Sequence, residues 1–251
     1  MEKIRLSPSR VNDFKNCPQL YKYRVIDQIP EEISLDAERG TLVHSVLESL
    51  FDAPISERTL AHALSLVDGT WKAQVDAKPE LLVLVPEEKE WFDRVSSLLT
   101  NYFKLEKPDT FETTSREVHL ELDFAEDIYL HGYVDRLDIA LTGEVRIVDY
   151  KTGKSPHRNW QDKAFFQLQI YALIYWRNTG TLPSQLKLLY LGNRDKLLSK
   201  PTEEDLIEAE ASLHKTAAEI SHAMTSEVWI TRKSRLCDWC SFKPICPAHQ
   251  I

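Results

Sequence analysis

The chain has 251 residues, 43% of them hydrophobic and 28% charged, with a formal net charge of −8. This is the composition of an ordinary globular protein large enough for a substantial core. It lacks any apolar run near the roughly 18 residues of a membrane span, and its acidity excludes a general nucleic-acid coat while leaving room for an enzyme that grips a polyanion in one basic cleft. The opening segment, Met1 to Pro8, carries no secretory apolar region, so a cytosolic chain is expected. In that compartment the four cysteines are not expected to pair as disulfides.

Ser7 reads as an N-cap and Pro8 as the first residue of a short helix that must stop before Pro18. The spacing predicts a second helix over 35–52, with Leu42, Val43, Val46, Leu47 and Leu50 on its apolar side. Two more follow near 57–76 and 87–105, with Pro79 and Pro86 bounding the gap between them. The period then changes. Residues 114–124 alternate through Val118, Leu120, Leu122 and Phe124, as a half-buried strand does. Two further strands, 129–141 and 144–151, are joined by the turn sequence Leu141-Thr142-Gly143-Glu144.

A polar loop at 152–160 leads into a helix over 161–178, where Phe165, Leu168, Tyr171, Ala172 and Tyr175 recur at helical spacing. Residues 185–191 read as another strand and 202–224 as another helix. The tail from 225 onward is short, basic and cysteine-rich. With no internal repeat and no low-complexity linker, the order predicts a single α/β domain. Its parts are a helical portion over about 1–110, a core over about 111–225 and a tail over 226–251.

Strand alternation puts Asp135 on the face of Tyr133 and Leu137, and puts Asp149 and Lys151 on the face of Val145 and Ile147. Such charges at the end of an apolar strand face are costly to desolvate unless they serve each other or a ligand. Two aspartates converging from adjacent strands repel unless a divalent cation lies between them, and carboxylate oxygens suit Mg²⁺ or Mn²⁺. Lys151 beside them can offset negative charge building on a phosphate. Phosphodiester hydrolysis requires that combination of metal and cation. Taken alone, Asp-x-Lys is more often a surface ion pair worth little.

The surrounding residues reverse that balance. Gly132-Tyr-Val-Asp135-Arg-Leu-Asp138, followed by Ile147-Val-Asp149-Tyr-Lys151-Thr-Gly153, resembles the catalytic strands of the PD-(D/E)XK nucleases, in particular the RecB-type exonuclease family. Arg39-Gly-Thr-Leu-Val-His44 resembles the upstream motif of that family, whose histidine binds metal, and Gln167-Leu-Gln-Ile-Tyr171 resembles its Q-x-x-x-Y helix.

The resemblance implies a restriction-endonuclease-like core, a mixed central sheet flanked by helices, with an N-terminal helical elaboration. It implies catalytic roles for Asp135, Asp149, Lys151, Gln167 and Tyr171. The metal ligands it implies are His44, Asp135, Asp149 and the backbone carbonyl of Tyr150, holding Mg²⁺ or Mn²⁺. The implied activity is exonucleolytic hydrolysis of DNA, single-stranded or with single-stranded ends, in repair or recombination. CRISPR spacer-precursor processing, helicase or repair partner proteins, and a non-catalytic DNA-binding role on the same fold stay open beside it. Thr152-Gly-Lys-Ser155 resembles the end of a phosphate-binding loop, but the first glycine would fall at Val148, so no ATP site is expected. Lys154, His157, Arg158 and Lys163 are read instead as a basic rim for phosphates.

Cys237, Cys240 and Cys246 are spaced C-x2-C-x5-C, and Cys17 lies at the other end of the chain. This set resembles the iron–sulfur members of the family, including the AddB nuclease domain and the CRISPR-associated nucleases of spacer acquisition. It implies a [4Fe–4S] cluster, with four-cysteine zinc as the rival. Either would clip Cys17 to the tail and close a loop of most of the chain, where a cross-link stabilises most in principle. Arg232, Lys233, Arg235 and Lys243 around the clip are read as DNA-backbone contacts or as a solvated charge cluster.

Overall fold

A computed structural model describes residues 3–85 and 87–250, apart from the side chains of Trp160, Asp162 and Lys163. Pro86 and the side chain of Lys163, both singled out in the sequence, therefore lie outside the described residues. The N-terminal half is mostly helical. Strand β1 (Ile4–Leu6) precedes α1 (Pro8–Asn16), α2 (Pro18–Tyr21), α3 (Leu35–Leu50), α4 (Leu60–Ala77), α5 (Leu81–Leu84) and α6 (Glu88–Leu105). The second half runs β2 (Ser115–Ala125), β3 (Ile128–Ile139), β4 (Val145–Lys151), α7 (Gln161–Thr179), β5 (Gln185–Tyr190), β6 (Asp195–Ser199) and α8 (Glu203–Ser226). No helix among the described residues is long and apolar enough to cross a membrane.

Local chemistry sets the element boundaries. The Ser7 hydroxyl accepts the amide of Arg10, and Pro8 opens α1 where its missing N–H costs nothing. At α8, Thr202 and Asp205 form a reciprocal capping box. Gly143 turns the β3–β4 hairpin at φ +93°, a backbone conformation that strains a residue bearing a Cβ.

The six strands form one mixed sheet in the order β1-β3-β4-β5-β6, with β2 also paired to β3. β1 runs parallel to β3 and β5 parallel to β4, while β2–β3, β3–β4 and β5–β6 are antiparallel. The parallel β4–β5 pair needs a crossover, which α7 provides. Helices cover the sheet on both sides. One core gathers residues of α1, α7 and α8 against Leu130, Val134, Leu137 and Ile147. The other gathers α3, α4 and α6 against Val148, Tyr150 and Leu189. The five residues expected on the apolar side of α3 are all fully buried in this second core, each contributing about 2 kcal/mol by removal from water.

Two strands are additional to those expected, and one expectation is corrected. Strands β1 and β6 carry no sequence signal: β1 has three residues, and β6 buries only Leu197. Regular alternation over residues 133–137 fails at Leu137, which does not share the face of Tyr133 and Asp135. Leu137 packs into the α7-side core together with Val134, whereas Tyr133 is 58% exposed. Arg136 turns toward Glu106 and Tyr150 on the other side. The β2–β3 ladder passes from Val118↔Val134 to Arg116↔Arg136 and omits the intervening pair. Glu117, at that step, has φ +44°, so the strands twist out of register with their pleat where Asp135 stands.

Candidate active site

Asp135 and Asp149 come from the antiparallel neighbours β3 and β4, and the polypeptide around each is held tightly. The Asp135 Oδ2 accepts the backbone N–H of Tyr150 at 2.5 Å, fixing the carboxylate against the strand that carries Asp149. Its Oδ1 lies 3.3 Å from His44 Nδ1. His44 reaches the site from the middle of α3, where Gly40 one turn earlier faces Thr152 in the loop after β4.

Asp149 is 2% exposed. The Gln167 amide donates to its Oδ1 at 2.9 Å. Lys151 Nζ forms an ion pair with Oδ2 at 2.7 Å, and that buried oxygen has no other polar contact among the described residues. Lys151 in turn donates to Gln167 Oε1 at 2.8 Å, and Gln167 Nε2 lies 3.0 Å from the Tyr171 hydroxyl. One glutamine on α7 thus bridges the acid and the lysine. The Tyr171 ring packs against Gly132, where a Cβ would come within 2.5 Å of it. The glycine of the Gly132–Asp138 motif is therefore required by that tyrosine.

Electrostatics at the site oppose full ionisation of the protein alone. Burial pushes the Asp149 carboxyl up to about 6, Asp135 adds to the rise, and Lys151 opposes it. Glu117 is pushed up to about 7 by burial and then by Asp135. Burial draws the His44 imidazole down, but its hydrogen bond and charge contact with Asp135 outweigh this and its pKa ends raised. Acids held up by burial and mutual repulsion regain their charge when a cation joins them.

Glu117 is a site residue that its own sequence segment does not reveal. A nitrogen of His44 and carboxylate oxygens of Glu117 and Asp135 lie within 4.8 Å of one another. This mixed nitrogen and oxygen set, with the Asp149 carboxylate beside Asp135 in the sheet, fits a hard divalent cation. Glu117 falls on the polar positions of an alternating strand, where a carboxylate is unremarkable. Only the break in the ladder turns it to Asp135. Tyr150, whose carbonyl the sequence offers as a ligand, also gives its N–H to Asp135 and accepts Arg136 at its hydroxyl.

Behind the sheet lies a second feature invisible in the sequence. Arg136 is fully buried and donates to Glu106 at 2.7 Å, to Tyr150 at 2.8 Å and to Asp138 at 3.1 Å. Lys187 also pairs with Glu106. Despite burial, this arginine holds the Glu106 carboxyl down at about 2. Arg136 follows Asp135 in the chain and Tyr150 follows Asp149, so the network anchors the backbone of both acidic strands.

Lys154, His157 and Arg158 are exposed beside the site, on a loop tied down by Ser155 and Asn193. Val148 lies inside β4.

The four cysteines gather around one cavity of about 250 Å³, and none of them is in a disulfide. The tail reaches Cys17 through several contacts. Trp229 stacks on Tyr21 at 6.1 Å, Tyr23 packs on Phe242 at 5.1 Å, and the Gln19 backbone N–H donates to the Ile230 carbonyl. Arg232 spans the junction, its side chain donating to the Lys15 carbonyl and its backbone N–H to Cys17 Sγ. Lys243 is paired with Asp238, so of the four tail cations expected near DNA, these two serve the tail itself. All four thiols line this half-open space between α1, α2 and the tail, and such soft donors suit an iron–sulfur cluster or zinc.

The sequence profile of the PD-(D/E)XK nuclease superfamily matches residues 5–247. The gene 69 protein of Mycobacterium phage D29 is 24% identical over 95% of this chain and 97% of its own length. One component of the ATP-dependent helicase/deoxyribonuclease of Clostridium perfringens is 26% identical over 69% of this chain. That match spans only 17% of the Clostridium protein. The crystal structure of a candidate exonuclease from Eubacterium rectale superposes with a TM-score of 0.60, covering 100% of this chain and 89% of that one at 16% identity. At that identity the likeness concerns the fold.

Proposed function

Because the chain belongs to the PD-(D/E)XK nuclease superfamily, we propose that it is a DNA nuclease acting through Asp135, Asp149 and Lys151. The observation that carries this reading is the chain of contacts from Asp149 through Gln167 to Lys151. It poises one carboxylate oxygen and one ammonium group at the same point above the sheet.

His44, Asp135, Asp149 and the Tyr150 carbonyl are the proposed ligands of Mg²⁺ or Mn²⁺, with Glu117 beside them. A divalent cation bound there supplies an acidified water and offsets charge on the scissile phosphate. Lys151, a third exposed, is free to swing its ammonium group toward the attacking water or a phosphate oxygen. Gln167 holds it in place until substrate arrives, and the Tyr171 hydroxyl fixes the orientation of Gln167. Lys154, His157 and Arg158 supply phosphate contacts at the rim.

The proposed substrate is a single-stranded end, degraded exonucleolytically in repair or recombination, with a helicase partner as the name of the Clostridium relative suggests. In this reading the chain works as a single nuclease domain. The four cysteines hold a [4Fe–4S] cluster that braces α1 and α2 against the tail, supported by their convergence from both ends of the chain on one cavity. The test is a gel assay of 5′- and 3′-labelled single- and double-stranded oligonucleotides with Mn²⁺ and with EDTA. Mn²⁺-dependent shortening from the ends of single strands is expected. No cleavage of any strand, or cleavage undiminished by EDTA, overturns it.

A further inference from the structure

On the part of the sheet that leads away from the site, β2 and β3 present an open face. From Glu117 and Asp135 outward, successive partners on that face are His119↔Tyr133, Glu121↔His131 and Asp123↔Tyr129. Side chains two apart along a strand share a face at about 6.7 Å spacing. The alternate residues Leu130, Gly132 and Val134 are buried toward α7. His119 and Tyr133 are exposed, Tyr133 by 58%, and none of the described helices covers them.

This face is aromatic in a way that a solvated strand face has no reason to be. The Tyr133 ring stacks on His119 at 4.7 Å with planes 23° apart. His131 lies 6.1 Å from His119 on one side and 6.1 Å from Tyr129 on the other. Arg5 of β1 covers the Tyr129 ring at 4.4 Å, and Arg10 reaches back to the Arg5 carbonyl at 2.9 Å. The acids of the face are already engaged. Glu121 accepts the Tyr129 hydroxyl and lies 3.7 Å from His119, while Asp123 pairs with Lys3 at 2.6 Å. The stripe therefore offers ring faces and, at its far end, cations.

We propose that the Tyr133–His119 pair is a base-stacking platform that seats an unpaired nucleotide of the DNA strand entering the site. The strand continues over His131 and Tyr129 toward Arg5 and Arg10. The proposal rests on the nuclease reading and specifies its substrate: a base in a duplex has no free face to offer, whereas an unstacked base does. Position supports the assignment, because Tyr133 is two residues from Asp135. A nucleotide on its ring has its backbone beside the proposed reaction centre. Stacking on an aromatic side chain contributes without regard to base identity, as suits an enzyme that digests any sequence.

Tyr133 is largely exposed, so its replacement leaves the core intact. The test uses the full chain with its bound metals, Ca²⁺ in place of Mn²⁺ to suppress cleavage, and a fluorescein-labelled oligothymidylate followed by anisotropy. Tyr133→Ala is expected to weaken binding about tenfold, Tyr133→Phe to bind as the wild type does, and the salt dependence to keep its slope because no phosphate contact is lost. An oligonucleotide with abasic sites should bind wild type and Tyr133→Ala alike. In Mn²⁺, KM for the oligothymidylate should rise in Tyr133→Ala while kcat holds. Equal affinity of Tyr133→Ala and wild type for the oligothymidylate, or a Phe variant as weak as the Ala variant, overturns the platform even if the protein cuts DNA. A protein that binds single strands through Tyr133 but cuts none overturns the nuclease reading and leaves the platform standing.

Discussion

Replacing Glu106 with glutamine tests whether the network behind the sheet holds the acidic strands in place. Glu106 is 7% exposed and receives both Arg136 and Lys187. Arg136 is the partner that fixes it, because burial keeps the Lys187 pKa below its ordinary value even with Glu106 beside it. Holding this carboxyl at about 2 instead of 4.5 corresponds to about 3 kcal/mol of folding stability at neutral pH. Glutamine keeps the shape and loses the charge, leaving a buried guanidinium to share Asp138 alone. In a chain of this size the loss lowers Tm by roughly 6–12 °C. The group's pKa is depressed on folding, so its contribution is complete above pH 4.5 and disappears as pH falls from 4.5 toward 2. Urea denaturation of both proteins across that range should show a gap of about 3 kcal/mol at pH 7 that closes toward pH 2. A gap below about 1 kcal/mol at pH 7, or one that does not narrow in acid, refutes the reasoning.

Other substitutions probe the site itself. Gly132→Ala places a Cβ 2.5 Å from the Tyr171 ring. It should cost about 1–3 kcal/mol by overpacking and lower kcat by displacing the partner of Gln167, as thermal melts and steady-state kinetics would register. Glu117→Gln should weaken Mn²⁺ binding measured by electron paramagnetic resonance of the free ion, with the fold unchanged by circular dichroism. Unaltered binding would remove Glu117 from the metal centre. Cys17→Ser should abolish visible absorbance and reduce iron and acid-labile sulfide. Stoichiometric zinc in the wild-type protein, with no iron, would instead assign the four cysteines to zinc.

Much of this architecture is legible in the sequence because its signals are local. The helices expected over 35–52, 87–105 and 161–178 lie within two residues of α3, α6 and α7, since buried leucines and valines at helical spacing leave little choice. The residues proposed for the site, from His44 to Tyr171, also converge in space. What stays hidden depends on pairing between distant segments. β1 gains its identity only from parallel contact with β3. Arg136 reads as an ordinary charge of the Gly132–Asp138 motif until Glu106, thirty residues earlier, is brought against it. Glu117 and the His119–Tyr133 stack occupy polar positions of regular alternation, so nothing in their own segment marks them. Alternation assigns Leu137 to the face of Tyr133 and Asp135, a face it leaves for the α7-side core because the pleat is broken beside Asp135.

The central claim is that Asp149, seated between Gln167 and Lys151, makes this chain a metal-dependent nuclease. It is tested most directly by the Mn²⁺-dependent cleavage of an end-labelled single strand by wild type and Asp149→Ala side by side, each with its circular dichroism and iron content recorded. The account predicts cleavage by the wild type and none by a folded, iron-replete variant. Cleavage by Asp149→Ala at the wild-type rate would contradict it.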